Sequence, residues 1–159
     1  MGEMDTGITC VETFDFDVID KIYKPFDNLV LAVTLKADGS TDKKVLGSLM
    51  EAYRANSAFP EEWHRLEKIF VNPSLQMVSF TITEKGYSLK GADSAIAIVC
   101  ALLYERYKTN QAPIALVSMD NCSHNGEKFK NAVLDVAGEW LEKGSVNEGF
   151  LSYLSDEIK

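Results

Sequence analysis

The chain has 159 residues, 46% of them apolar, enough for one sizeable core and, by the usual size of domains, a single domain over 1–159. Sixteen Lys and Arg against 24 Asp and Glu leave a net charge of −8 and a pI near 4.8, a balance that repels phosphate backbones and anionic lipid and excludes nucleic acid as a natural partner. Three Cys without CxxC spacing and only two His argue against a disulfide frame and an imidazole-built metal site, leaving only carboxylate sites for hard cations open, and no metal is expected.

Ile8–Thr13 is a short β-prone run that ends in acids, Glu12-Thr13-Phe14-Asp15-Phe16-Asp17, before Val18–Tyr23 and a break at Pro25. Leu29–Leu35 is rich in β-branched and aliphatic residues and predicts a strand closed by the turn Ala37-Asp38-Gly39-Ser40. Thr41 or Asp42 can cap a helix whose apolar stripe is Val45, Leu46, Leu49, Met50 and Tyr53, and which stops before Pro60. Glu61–Phe70 reads as a short helix ended at Asn72-Pro73. Leu75–Thr83 reads as a strand buried on both faces and broken by Gly86.

Ala92–Tyr107 has apolar residues at helical spacing, and Ala112-Pro113 then leads into the strand Ile114–Ser118. Strand, helix, strand in this order implies a right-handed parallel crossover. Ser123 or Asn125 caps a helix over Gly126–Leu141, and Val146–Leu154 makes a last one. The longest apolar run, Ala95–Leu103, is far short of the roughly 20 residues that cross a bilayer, and no signal layout opens the chain. A soluble cytoplasmic protein with no membrane partner is therefore expected. No repeat, low-complexity tract or interdomain linker is visible.

Two segments carry chemistry. In open α/β sheets the ligand crevice lies outside the carboxyl ends of the strands, which is where Ser118, Asp120, Asn121, His124 and Asn125 fall. A carboxamide held at such a place can donate a hydrogen bond to a carbonyl oxygen that becomes an oxyanion, although the same amides equally well cap helices and form turns. The second segment, Thr81-Ile82-Thr83-Glu84-Lys85-Gly86-Tyr87, offers hydroxyls and a carboxylate to a pocket rim, or is a strand followed by an ordinary turn. The acids at Glu12 and Asp15 sit where a dinucleotide fold places its ribose-binding carboxylate, or else form a solvated helix start. No GxGxxG or P-loop pattern exists in the chain.

TITEKGY and SMDNCSHNGEKFK, in that order, resemble signature stretches of the mannitol dehydrogenase family of long-chain NAD-dependent polyol and sugar-acid dehydrogenases. VETFDFDVIDKIYKPFDNL and LEKIFVNPSLQ extend the resemblance over essentially the whole chain, toward the sugar-acid members. The resemblance implies an α/β fold, a partial Rossmann-like, mostly parallel sheet flanked by helices. It also implies NAD as cofactor, a sugar acid or polyol as substrate, and hydride transfer without a metal. By the same resemblance Asn121 matches the family's oxyanion-stabilising Asn. Thr81, Thr83, Glu84 and Asp120 line the cofactor pocket, Asn121 and Asn125 face substrate, and either Glu12 or Asp15 takes the adenosine ribose.

The family's Gly-rich phosphate loop and its helical domain with the catalytic Lys have no counterpart in these residues. The stretch from Tyr87 to Ala92 is also shorter than relatives usually have. The expectation is an incomplete NAD-binding domain that does not turn over alone. Its competitor is a non-catalytic binding or interaction module that pairs with itself or another protein through an exposed former domain interface.

Overall fold

In the computed structural model, residues 7–82, 86–87, 91–156 and 158 are described. The chain divides between Trp63 and His64 into two units.

In the first unit, strand β1 (Ile8–Glu12) pairs parallel with β4 (Leu49–Arg54), Cys10 facing Ala52 and Glu12 facing Arg54. The connection between them begins with a π-helical turn, Val18–Tyr23, which buries Ile19, and a 3-10 turn, Lys24–Phe26, that accommodates Pro25 near its start. It continues as an antiparallel hairpin of β2 (Val30–Leu35) and β3 (Thr41–Leu46). Gly39, at a φ of +82°, makes the turn expected at Ala37-Asp38-Gly39-Ser40, which here joins two strands rather than a strand and a helix.

The helix expected after Thr41 does not form: its residues are β3 and β4. Val45, Leu46, Leu49, Met50 and Tyr53 satisfy a helical period, yet Gly47-Ser48 splits them into two strands with separate partners, Val45 opposite Leu31 and Ala52 opposite Cys10.

An ionic cluster fastens the end of β4. Glu62 accepts from the Arg54 backbone N–H (2.6 Å), from Arg54 Nε (3.1 Å) and Nη2, and from Lys24 Nζ (2.9 Å). Arg54 also reaches Asp20 (3.1 Å) and lies over the Phe59 ring (3.7 Å). Partial burial pushes the Glu62 carboxyl up, but the Arg54 and Lys24 hydrogen bonds outweigh it and hold the group at about 2. A carboxyl lowered by folding stabilises fully above its ordinary value and loses that contribution as pH falls toward the folded one. Urea unfolding followed at Trp63 should therefore show wild type more stable than E62Q at pH 7, with the gap closing between about pH 4.5 and 2. A gap independent of pH contradicts this.

Helix α1 (Pro60–Phe70) spans the sequence point at which the units divide. In the second unit, β5 (Met77–Phe80) pairs parallel with β6 (Ala115–Ser118), Phe80 facing Ser118. The crossover between them is α2 (Ala95–Thr109), capped by Ser94, whose Oγ accepts from the Ala97 N–H at 3.2 Å. Ile96, Ala97, Ile98, Val99, Cys100, Leu102 and Leu103 are buried, so α2 is the centre of this unit's core. Helices α3 (Asn125–Glu142) and α4 (Glu148–Asp156) close over it through Phe129, Val133, Ala137, Phe150, Tyr153 and Leu154. The expected burial of β5 on both faces is not found. Met77 and Ser79 are exposed, while Phe80 is buried against Phe129 of α3, as alternation across a pleated strand dictates.

Arg106 is the one charged side chain among the described residues that is buried, at 0% exposure. All five of its N–H groups find carbonyls: Nε donates to Ala112 O (2.8 Å), Nη1 to Phe70 O (2.6 Å) and Asn72 O (2.9 Å), Nη2 to Leu75 O and Pro113 O (both 3.1 Å). These carbonyls belong to the segments that lead into β5 and β6. One guanidinium on α2 thus sets where both strands begin.

Candidate functional site

Parallel pairing brings Phe80 and Ser118 side by side at the carboxyl ends of β5 and β6, and Met119 N–H donates to Phe80 O at 2.9 Å as the chain leaves the sheet. The chain then turns through Met119–His124 into α3. Asn125, the first residue of α3, folds its side chain back over this turn. Its Nδ2 donates to Ser118 O (3.2 Å) and Asp120 O (2.9 Å), and its Oδ1 accepts from Gly126 N–H (2.7 Å). Cys122 N–H donates to Asp120 O at 3.0 Å.

The helix begins one residue earlier than expected. His124, rather than Ser123 or Asn125, holds the N-cap position, in the left-handed region (φ +56°) and without a side-chain cap bond. Asn125 is occupied in bracing the turn instead. His124 Nδ1 pairs with Glu127 at 3.3 Å on the exposed surface.

Tyr87 crosses the mouth of the pair. Its hydroxyl donates to Asp120 Oδ2 at 2.5 Å and lies 2.6 Å from Ser118 Oγ, while its ring packs on Phe129 at 6.0 Å. With the phenol O–H donating to the carboxylate, the Ser118 hydroxyl donates to Tyr87 Oη, and the three form an ordered chain ending on Asp120. Burial first, and then Asp120, push the Tyr87 phenol up to about 12.

Of the residues singled out in the sequence, Ser118, Asp120 and Asn125 come together here. Asn121 is exposed in the turn, with no bond to these three, and Thr81, also exposed, follows β5 directly. Thr83 and Glu84 lie outside the described residues. In the first unit Glu12 is the half-buried last residue of β1 and Asp15 is exposed just beyond it. Partial burial, then the neighbouring Asp15 charge, push the Glu12 carboxyl up. Tyr87 is the residue that sequence reasoning left without a role. Its only signal was an aromatic hydroxyl one residue past a strand-breaking Gly.

Among the described residues no group of three or more His, Cys, Asp and Glu gathers in a way that could hold a metal ion, and no helix is long and apolar enough to cross a membrane.

No family model matches the chain. D-mannonate oxidoreductase of Thermotoga maritima is 43% identical over 176 residues that take in 99% of this chain and 32% of the relative. That aligned span exceeds the chain's 159 residues, so the relative carries residues within it that this chain lacks. Mannitol 2-dehydrogenase of Pyrenophora tritici-repentis is 24% identical over 72% of this chain and 23% of its own length. Among solved structures, the ternary complex of Pseudomonas fluorescens mannitol 2-dehydrogenase with NAD and D-mannitol matches with a TM-score of 0.75 at 22% identity, over 98% of this chain and 34% of that one. That likeness establishes the fold: a Rossmann-like α/β arrangement of parallel strand pairs flanked by helices. The chain spans about a quarter to a third of the length of these relatives.

Proposed function

We propose that this chain, a member of the mannitol dehydrogenase family of long-chain dehydrogenases, is the cofactor-domain portion of an NAD-dependent oxidoreductase that interconverts D-mannonate and D-fructuronate, or a related polyol and ketose, in the cytoplasm. By itself it does not turn over substrate. The observation that supports this reading is the 43% identity to D-mannonate oxidoreductase across 99% of the chain. The polar turn at the carboxyl ends of β5 and β6, where such folds place their ligands, agrees with it.

In the first unit, Glu12 or Asp15 takes the adenosine ribose; in the second, Asp120 lines the cofactor pocket. Thr81, with Thr83 and Glu84 outside the described residues, carries the family's cofactor-lining role, and the bound NAD supplies the hydride chemistry. Asn121 and Asn125 face the substrate. The Asn121 amide donates to the carbonyl oxygen and holds it as negative charge develops, a role whose removal costs other enzymes about 100-fold or more in kcat. Asn125 acts through the turn it braces. No residue of this chain is assigned as the general base.

N121A in the longer protein that carries this segment tests the reading. The expected result is kcat for D-fructuronate reduction down by about 100-fold with NADH affinity retained. Undiminished kcat removes Asn121 from the chemistry.

A second reading, a non-catalytic interaction module, is favoured by the β2–β3 hairpin. Leu31 (57% exposed), Val33 (46%), Leu35 (79%) and Val45 (60%) stand in the open there, an apolar display of the kind that marks interaction surfaces. Its self-pairing form predicts concentration-dependent association, and a monomer at every concentration in sedimentation counts against it.

A further inference from the structure

We propose that Tyr87 is a positioning residue for the turn 118–125: through Ser118 and Asp120 its hydroxyl fixes the Asp120 carboxylate in the place where it meets a hydroxyl of the bound dinucleotide. The inference rests on the dinucleotide reading above and adds a residue that it does not contain.

The geometry carries it in three steps. Tyr87 spends its single proton on Asp120 Oδ2 (2.5 Å) and accepts from Ser118 (2.6 Å), so one phenol oxygen ties the last residue of β6 to the second residue beyond it. Asn125 secures the same stretch from the other side, but only through the backbone carbonyls of Ser118 and Asp120. Among the described residues, therefore, the Asp120 side chain is held by Tyr87, with Ser118 contributing a longer contact of 3.5 Å. Third, the ring is anchored on Phe129, which is 1% exposed in the core, so the hydroxyl is presented from a rigid base. A bond to an ionised acceptor is of the stronger class, and its loss frees a carboxylate to rotate.

Y87F keeps the ring and removes the two bonds. Amide hydrogen exchange on this chain should then run about tenfold faster across 118–125 while exchange across α2 stays as in wild type. S118A, which removes the Ser118 contacts and leaves the Tyr87–Asp120 bond in place, should speed exchange across 118–125 by less than Y87F. In the longer protein Y87F should raise the KM for NADH about tenfold and leave kcat within about twofold, a split that a general loss of stability does not produce. Equal exchange across 118–125 in Y87F and wild type, or faster exchange spread evenly through α2 and α3, overturns the positioning role. An unchanged KM for NADH overturns the link to the dinucleotide. If the wild-type longer protein oxidises no NADH at all, the dinucleotide reading fails on that result, and the exchange data judge Tyr87 separately.

Discussion

R106M should destabilise the second unit by about 3–5 kcal/mol, a large part of the 5–15 kcal/mol that ordinarily holds a domain together. Methionine fills much of the same volume, so the loss does not come from a cavity. It comes from the backbone carbonyls of Phe70, Asn72, Leu75 and Pro113, which lose the guanidinium as donor, while Ala112 O keeps the Tyr153 hydroxyl at 2.9 Å; the guanidinium that joins them is itself 0% exposed. The connectors into β5 and β6 then lose their common anchor, and the parallel register that places Phe80 beside Ser118 loses its origin. R106K should fall between the two, because an ammonium offers three donors from a point and cannot fork to five carbonyls. Chemical denaturation followed by far-UV circular dichroism measures this directly. An R106M midpoint close to that of wild type would mean that the carbonyls find other partners.

F129A is the second large loss. Phe129 is 1% exposed and makes an edge-to-face contact with Phe80 at 4.5 Å and a tilted one with Tyr87 at 6.0 Å, so it joins α3 to the sheet directly under the polar turn. Truncating a buried Phe costs about 3–5 kcal/mol, from lost burial and from the cavity left behind. F129L, which retains most of the volume, should lose clearly less. Its position also makes F129A diagnostic. Amide exchange across 118–125 should rise together with the drop in thermal midpoint, whereas an equally destabilising change in α4, such as F150A, should lower the midpoint and spare the turn. Thermal denaturation within about 1 kcal/mol of wild type would show that the site collapses around the missing ring.

The second unit was largely legible in the sequence because its patterns admit one solution. Ile114–Ser118 is an unbroken apolar run behind a Pro, and Ala95–Leu103 is too long and too uniformly apolar for a strand, so strand, helix and strand followed in order. The first unit was half legible. Between Thr41 and Arg54 the apolar spacing suits a helix and two strands equally, and the choice is made by partners distant in sequence, Leu31 for Val45 and Cys10 for Ala52, which no local window contains. The π-helical turn at Val18–Tyr23 has no sequence signature of its own.

The site divides in the same way. Asp120, Asn121 and Asn125 were visible as amides and a carboxylate crowded after a buried strand. The bracing role of Asn125 and the N-cap position of His124 depend on a backbone turn that composition does not encode. Tyr87 lies 31 and 33 residues from its partners Ser118 and Asp120, and a single Tyr in a turn gives no hint of them. Arg106 is similar: a lone cation near a helix end is ordinarily solvated, and its burial is decided by two loops folding over it.

NADH consumption, with D-fructuronate, D-tagaturonate and D-fructose offered in parallel to this chain and to the longer protein that carries it, tests the central claim most directly. Oxidation of NADH by the longer protein with D-fructuronate as the best acceptor, and none by this chain alone, is the predicted result. Turnover by this chain unaided would contradict it and would place a base and a phosphate site within these residues, while failure of the longer protein with all three acceptors would contradict the assignment to sugar-acid reduction.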